Sequence, residues 1–461
     1  MVSSDIIAAI ATPPGKGGIG VVRVSGKNLH ALVLKMVGSA LKPRHATFCK
    51  FLDESGIPID QGIALYFRSP HSYTGEDVLE LQGHGGTAVT NLVLSSCLRA
   101  GARLAQPGEF TLRAFFNDKI DLAQAESVAD IVNARTGEAV RCALRSLKGE
   151  FSAAIHSMVR ALTELRMTVE ADLDFPEEYA EDAGRPESSR LPVDTRLGEK
   201  LEALQSRLSH VLAAARQGSL LREGMSIVIA GQPNVGKSSL LNRLAREDVA
   251  IVTDIPGTTR DAISQSIEVE GIPLRLTDTA GLRETTDAVE KEGIGRTRMA
   301  LSNADLVLML MDCRSGMTAE DEAILDSLPR ELPVLRIYNK TDLAARNASS
   351  SVTDAEKQEI YLSAKTGSGI ELLRSKLAEI AGQKPGAETE GMFMARQRHL
   401  EDLMRAGNHV QNALDLVGDS SQSVFLAEEL RLAQQSLSSI TGEFTADDLL
   451  GEIFSRFCIG K

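Results

Sequence analysis

Short apolar, β-rich runs such as Gly20-Val21-Val22-Arg23-Val24 and Ile63-Ala64-Leu65-Tyr66-Phe67 alternate with more polar, glycine-rich turns through the first quarter of the chain. One longer helical stretch starts near Gly85, so an α+β region is expected as far as about Asn117. From Leu122 the pattern becomes helical, rich in Ala, Leu, Glu and Arg through Ala171, and after an acidic, proline-bearing break at 175–191 a second helical run begins at Val193. Leu197, Leu201, Leu204 and Leu208 recur at intervals of four, three and four, which places them on one side of a helix. At this length, packing within a bundle outweighs an intermolecular coiled coil as the reason for that stripe. The strand-like Ser226-Ile227-Val228-Ile229-Ala230 then opens a β/α alternation, with further apolar strands at 306–311 and 334–338. After a linker at 382–386 the final stretch of about 75 residues is leucine-striped helix, too short to be comfortable as an independent domain, and is expected to complete the earlier helices.

The predicted fold class is therefore multidomain, α/β and α. Residues 1–118 form an α+β domain, 119–220 the first part of a helical domain, 221–382 a doubly wound α/β domain, and 383–461 the second helical part. The α/β domain is an insertion within the helical one, which is geometrically simple because domain termini often lie close together. A chain of 461 residues is too long for one core, so several domains are expected in any case.

Composition narrows the function classes. With 43% hydrophobic and 25% charged residues the chain is an ordinary globular one, and a formal charge of -13 excludes coating nucleic acid by bulk attraction while leaving room for a local basic face. The five cysteines (Cys49, Cys97, Cys142, Cys313, Cys458) are widely spaced and include no Cys-x-x-Cys pair, so neither a disulfide framework nor a zinc ribbon is expected and a reducing cytoplasm fits. The start of the chain lacks the basic region and longer apolar core of a secretory signal, and no run approaches the roughly 18 apolar residues needed to cross a bilayer. A cytoplasmic protein without membrane contact is the expectation.

The strongest chemical signal is Gly231-Gln232-Pro233-Asn234-Val235-Gly236-Lys237-Ser238, a G-x-x-x-x-G-K-S phosphate loop placed after a strand and before the helical Ser239-Leu240-Leu241. Its glycines allow successive backbone N–H groups to cradle phosphates at a helix N-terminus, Lys237 adds a cation for the outer phosphates, and Ser238 offers a hydroxyl to magnesium. Three further elements follow in the chain order such a site requires. Asp278-Thr279-Ala280-Gly281 follows the apolar 274–276, so Asp278 can hold the magnesium shell while the Gly281 amide meets the terminal phosphate. Between those motifs, Gly257-Thr258-Thr259 supplies the threonines that would close on magnesium. Asn339-Lys340-Thr341-Asp342 follows a strand, and the Asp342 carboxylate can accept two hydrogen bonds from the donor edge of guanine, which adenine lacks. Ser363-Ala364-Lys365 would complete the base pocket. The residue after the Asp-Thr-Ala-Gly motif is the apolar Leu282, where small signalling GTPases use a glutamine to orient the attacking water, so help with hydrolysis must come from elsewhere. Asp287, Glu290 and Glu292 are the nearby candidates, although by residue type each reads as a solvated helix charge.

Three weaker signals are set aside. Gly15-Lys16-Gly17-Gly18-Ile19-Gly20 satisfies G-x-G-x-x-G, but prolines precede it and a β-branched strand follows, the reverse of a dinucleotide fold, so a loop is expected. His84, in Gly83-His84-Gly85-Gly86, has no second metal ligand at workable spacing and is expected to be a structural turn residue. Cys458 stands where a prenylated cysteine would, yet Gly460 and Lys461 do not suit that box.

Together, Gly-Gln-Pro-Asn-Val-Gly-Lys-Ser-Ser (231–239), Gly-Thr-Thr-Arg-Asp (257–261), Asp-Thr-Ala-Gly-Leu-Arg (278–283) and Asn-Lys-Thr-Asp (339–342) resemble the Era-like GTPases. The closing Phe457-Cys458-Ile459-Gly460-Lys461, the segment Arg113 to Glu126, and the N-terminal 11–15 with 18–26 narrow the resemblance to the MnmE (TrmE) family over essentially the whole chain. That resemblance implies an N-terminal domain that binds 5-formyltetrahydrofolate or a related tetrahydrofolate and dimerises the protein, a discontinuous helical domain, and an inserted G domain. It further implies GTP hydrolysis driving, with the FAD-dependent partner MnmG (GidA), carboxymethylaminomethyl modification at C5 of the wobble uridine of certain tRNAs. By motif match, Ser238 and Thr259 would take Mg2+, and Asn234, Thr253, Ile255 and Thr258 would surround K+. Asp254, Pro256 and Gly257 would belong to the same nucleotide-facing loop, and Glu290 would orient the water. Arg23, Glu80, Lys119 and Lys461 match the folate-binding positions, and Cys458 lies in a tail for which a catalytic role has been proposed, an isolated thiol being otherwise inert. Potassium accounts physically for the missing glutamine, since a fixed cation beside the β and γ phosphates neutralises developing charge as an arginine finger does. The rival reading is an Era-like ribosome-assembly GTPase that binds ribosomal RNA. Such proteins often carry a basic RNA-binding appendage, whereas the C-terminal segment here is leucine-striped and has no Gly-x-x-Gly loop.

Overall fold

The computed structural model describes residues 5–174, 193–247, 264–269, 271–278, 301, 304–329, 332–344, 359–381, 392–418, 422–443, 447–455, 457 and 460. The chain divides into two compact units, one of residues 1–132, 146–208 and 402–461, the other of 133–145 and 209–401.

The first unit begins as a six-stranded sheet. Its strands are β1 (Ile7–Ile10), β2 (Gly17–Gly26), β3 (Thr47–Leu52), β4 (Pro58–Phe67), β5 (Asp77–Gly85) and β6 (Arg103–Leu104), in the order β3-β4-β5-β2-β1-β6. Neighbours are antiparallel except β1 with β6. Val22 and Val24 are buried while Val21 and Arg23 are only half-buried, the alternation of a strand with one face on the core. The buried face packs on α1 (His30–Val37) and α2 (Thr87–Arg99) through Leu32, Val33, Met36, Val93 and Cys97. The expected α+β region thus carries more helix than the single stretch read from the sequence, since α3 (Glu109–Phe116) is present as well.

Two expectations in this region need correcting. Gly17–Gly20 is not a loop but the start of β2, paired with β5 across an irregularity. Its glycines serve close packing: a Cβ at Gly20 would lie 2.4 Å from Thr90 Cγ2, and one at Gly85 would lie 2.4 Å from the Gly17 carbonyl. His84 is likewise a strand residue rather than a turn residue, and its Nδ1 lies 2.7 Å from Asp60 Oδ1 while its backbone N–H donates to Asp60 Oδ2. Glycine composition signals both turns and strand contacts too tight for a side chain, and only the pairing separates them.

The helical part follows as α4 (Leu122–Asn133), α5 (Gly137–Leu147), α6 (Glu150–Asp174) and α7 (Val193–Glu223). The stripe Leu197, Leu201, Leu204 and Leu208 is buried, at 6% exposure or less, as bundle packing requires.

The second unit holds a sheet of β7 (Met225–Ala230), β8 (Ser264–Val269), β9 (Ile272–Asp278), β10 (Leu306–Asp312), β11 (Val334–Asn339) and β12 (Glu359–Tyr361), in the order β12-β11-β10-β7-β9-β8. All pairs are parallel except β8 with β9. Met225, Ile227 to Ala230 and Leu306 to Met311 are buried, the near-continuous apolar run of strands covered on both faces. Helices α8 (Lys237–Glu247), α9 (Ala319–Asp326) and α10 (Ile370–Ile380) alternate with these strands. The chain closes with α11 (Gln397–Leu416), α12 (Ser423–Thr441) and α13 (Asp447–Ser455), of which α12 packs on α6 and α13 on α3 in the first unit. Among the described residues no helix is long and apolar enough to cross a membrane.

The core of the first unit also contains charge. Arg113 is 1% exposed, and its guanidinium donates to Glu76 Oε2 at 2.9 Å, Glu109 Oε1 at 3.0 Å and Asp5 Oδ1 at 2.8 Å. Burial alone would raise the Glu109 carboxyl, but hydrogen bonds from Arg103, the Gln106 amide and Arg113 outweigh it and hold that group below its usual range. Removing Arg113 leaves Glu76 buried without its cation, while Glu109 keeps Arg103. Arg113→Met is therefore expected to cost about 3–5 kcal/mol of stability, read as a lowered melting transition by circular dichroism, and an unchanged melt would show the network to be energetically idle.

Candidate functional site

At the C-terminal end of β7 the chain turns through 231–236 into α8, and the turn is built by its glycines. Gly231 has φ +142 and a Cβ there would sit 2.2 Å from the Leu310 carbonyl; Gly236 has φ +104 and a Cβ would sit 2.3 Å from Asn339 Nδ2. Asn234, exposed between them, adopts the left-handed region at φ 63 without being glycine. Lys237 is 6% exposed, and its ammonium donates to the Gly231 and Gln232 carbonyls, each at 2.8 Å. Ser238 and Ser239 are exposed in the first turn of α8. Val235 is buried beneath the loop.

Asn339 ends β11 and is 3% exposed. Its Nδ2 donates to the Val235 carbonyl at 2.9 Å, and its Oδ1 accepts from the Ala364 amide at 2.9 Å, so one side chain ties the phosphate loop to the 363–365 loop. Lys340 follows at φ 68, and a single 3-10 turn over Thr341–Leu343 presents Asp342 at the surface. Ser363 Oγ donates to Asp342 Oδ1 at 2.7 Å, which holds the carboxylate expected to read guanine. Arg243, one and a half turns into α8, donates to the Ala364 carbonyl at 3.1 Å and to the Lys365 carbonyl at 2.6 Å.

The structure thus brings together Asn234, Val235, Gly236, Lys237, Ser238, Asn339, Lys340, Asp342, Ser363, Ala364 and Lys365 at one end of the parallel sheet. Asp278 ends β9, paired with Ile229 of β7, and its backbone is therefore at the same end; its side chain is outside the description. Thr253, Asp254, Ile255, Pro256, Gly257, Thr258, Thr259, Thr279, Ala280, Gly281 and Glu290 lie outside the described residues. Arg243 and Asp312 were not singled out by sequence reasoning. Arg243 carries no local signal, because its partners are 121 and 122 residues away.

A magnesium–nucleotide complex fits what is described. The glycines at 231 and 236 let the loop take the left-handed turns of a phosphate cradle, Lys237 and the start of α8 supply positive charge beside it, and Ser238 is exposed in the same turn. Magnesium keeps phosphate oxygens and water in its shell and so needs few protein ligands.

In the first unit Arg23 and Glu80 are register partners on β2 and β5, and Arg23 Nε and Nη2 donate to Glu80 Oε1 at 3.0 and 2.9 Å. Arg23 Nη1 donates to the Gly460 carbonyl at 3.1 Å, which places the end of the chain beside the pair. Gln82 Nε2 donates to Glu80 Oε2 at 3.3 Å, and the Arg23 guanidinium stands 6.0 Å from the Tyr73 ring. Lys119 Nζ donates to the Pro70 carbonyl at 3.0 Å, and the residue lines a cavity of about 430 Å³ with Phe115, Phe116, Gln124, His156 and Glu443. Cys458 and Lys461 lie outside the described residues. Tyr73, Gln82 and Gly460, which stand beside the pair, were not singled out from the sequence, and Arg23 and Glu80 were named only through the family resemblance.

Comparisons with known proteins bear on the whole chain. A profile described as the MnmE helical domain matches residues 122–458, and one described as the GTP-binding protein TrmE N-terminus matches residues 6–119. The protein named tRNA modification GTPase MnmE from Nitrosospira multiformis is 61% identical over 462 residues, covering 100% of both chains. Proteins of the same name from Nitrosomonas europaea and Burkholderia lata are 59% and 56% identical, covering 100% and 99% of both chains. A crystal structure of Aquifex aeolicus Era bound to GDP.AlF4- matches 40% of this chain and 65% of that one at 24% identity, with a TM-score of 0.27, too low to bear on the fold. On the two profiles and the full-length identities, this chain belongs to the MnmE family.

Proposed function

We propose that this protein is a potassium-dependent GTP hydrolase that drives modification of the wobble uridine of certain tRNAs. The observation that carries the reading is the Asn339 side chain, which joins a phosphate loop to a base loop whose Asp342 is steadied by Ser363. In that setting Asp342 accepts the two donors of guanine, and Asn339 keeps the base loop at a fixed distance from the phosphates. Lys237 exchanges its loop carbonyls for phosphate oxygens. Glu290 holds the attacking water that Leu282 cannot hold. Magnesium, on Ser238 and Thr259, and potassium, on Asn234, Thr253, Ile255 and Thr258, would supply positive charge beside the phosphates.

The tRNA part of the reading rests on relatives named tRNA modification GTPase along their full length. It takes in 5-formyltetrahydrofolate or a relative near Arg23, Glu80, Lys119 and Lys461, a homodimer through the 1–118 domain, and an FAD-dependent MnmG partner that completes carboxymethylaminomethyl modification at C5. Cys458 is carried as a catalytic candidate on its place in the tail alone. Domain bounds of 1–118, 119–220, 221–382 and 383–461 and a cytoplasmic setting belong to the same proposal. A ribosome-assembly role is not favoured, because the full-length relatives carry a different name.

Nucleoside mass spectrometry of tRNA from cells with and without the protein tests the whole. The modified wobble uridine should vanish in its absence, whereas intact modification with accumulating ribosomal precursors would point to the rival. Turnover should rise at least about tenfold when potassium replaces sodium, the scale of one well-placed charge on the transition state, and equal rates in both salts would remove potassium from the scheme. Glu290→Ala should slow hydrolysis by about 100-fold or more with GDP affinity little changed; a variant that turns over as fast as the parent rules Glu290 out.

A further inference from the structure

We infer that Asp312, braced by Arg314, is a positioning residue for guanine selection, acting by anchoring Lys340 and so setting the angle at which Asp342 meets the base. The inference rests on the reading of this site as a guanine nucleotide site, and neither Asp312 nor Arg314 belongs to any of the sequence motifs that led to it.

β10 is apolar from Leu306 to Met311 and then ends in the carboxylate of Asp312, whose side chain is 14% exposed. Asp312 is the register partner of Asn339, and the Cys313 amide donates to the Asn339 carbonyl at 2.9 Å, so the ladder continues one step past the strand. Every oxygen of the carboxylate is used. Oδ1 accepts from the Arg314 amide and from Arg314 Nε, both at 3.0 Å, and Oδ2 accepts from Arg314 Nη2 at 2.6 Å and from Lys340 Nζ at 3.1 Å. The guanidinium fork thus fixes the plane of the carboxylate, which leaves one oxygen edge facing the lysine. Arg314, the largest influence, and Lys340 hold the carboxyl well below its usual range, so it stays charged throughout any assay.

Lys340 needs such an anchor. Its backbone is left-handed at φ 68, a conformation that is strained for a non-glycine residue and persists only where the surroundings hold it. The next residues form the 3-10 turn, closed by the Leu343 amide on the Lys340 carbonyl at 2.9 Å, and Asp342 is its central residue. Asp342 is therefore restrained from two sides. Ser363 fixes one carboxylate oxygen, and the Lys340 anchor fixes the backbone that carries it. A carboxylate that must meet two parallel donors is sensitive to its angle, and a rotation that weakens the paired bonds erodes the advantage that the 2-amino group of guanine confers. Inosine nucleotides lack that amino group and so report the loss directly.

The test uses the full chain carrying Asp312→Asn, with GDP binding measured by calorimetry and hydrolysis of GTP and ITP measured side by side. The asparagine amide would keep one acceptor and turn an NH2 donor toward the partners of the other oxygen, and the negative charge facing Arg314 and Lys340 would be lost. GDP affinity should fall about tenfold, the loss should fall on KM rather than kcat, and the preference for GTP over ITP should shrink severalfold, with Asp312→Glu restoring part of it. Arg314→Ala, at a side chain 53% exposed and so little risk to folding, should shift the same preference in the same direction by less. GDP affinity like the parent's in Asp312→Asn, or weaker binding with an unaltered GTP-to-ITP preference, would overturn the inference and leave Asp312 a stabiliser of the strand end. Failure of the parent protein to bind any guanine nucleotide would instead overturn the site itself, and this inference with it.

Discussion

A single carboxamide, that of Asn339, organises the nucleotide site. It bridges segments 104 and 25 residues distant in sequence, with its donor on the Val235 carbonyl and its acceptor under the Ala364 amide. Because the group is 3% exposed, both bonds form away from water, where a lost partner costs the full desolvation of what is left behind. Gly236 takes part in the same arrangement. It is commonly read as a gap left for phosphate, yet a Cβ there would lie 2.3 Å from Asn339 Nδ2, so the glycine is required for the bridge even before any ligand arrives.

The bridge can form because the sheet delivers its partners to one end. β7, β10 and β11 are parallel and buried; β10 and β11 end level, with Asp312 opposite Asn339, while β7 stops at Ala230 opposite Met309, and the loops leaving all three emerge at the same end of the sheet. Tyr338 and Tyr361 stack at 4.7 Å between centroids, packing β11 on β12 just before the base loops diverge. Arg243 adds a second tie from α8 to the Ala364 and Lys365 carbonyls, so the helix that receives phosphate and the loop that receives the base are linked through side chain as well as sheet. Lys237, 6% exposed, has its ammonium fixed against the loop by the Gly231 and Gln232 carbonyls, so the cation is already ordered at the phosphate loop.

Charge is handled differently in the first unit. Arg113 is sealed among Glu76, Glu109 and Asp5, which take up its two terminal nitrogens. Arg23 also pairs with a carboxylate but stays partly exposed, at 22%, and reaches the Gly460 carbonyl. A group that is paired yet still accessible can exchange a partner for a ligand at modest cost, which a sealed one cannot. The two arginines are indistinguishable by composition; burial separates them.

The amino-acid sequence by itself determined the local architecture, because period, caps and glycine placement act over a few residues. The strands at 225–230, 306–312 and 334–339, the helices after Leu122 and Val193, and the phosphate loop with its base motif were all legible from spacing. The candidate for reading the base came from the same spacing, since Asp342 sits in a short motif whose chemistry is set by residue type. Tertiary structure alone decided what depends on distant pairing. It turned Gly17–Gly20 from an expected loop into a strand, because β5 approaches closely there, and made His84 the partner of Asp60. It brought Arg243 to the base loop, Asp312 to Lys340 and Gly460 to Arg23. Each of these contacts joins a residue to a partner that no periodicity links to it, and the free energy that holds them comes from the sheet and core that set the distance rather than from either residue's neighbours in the chain.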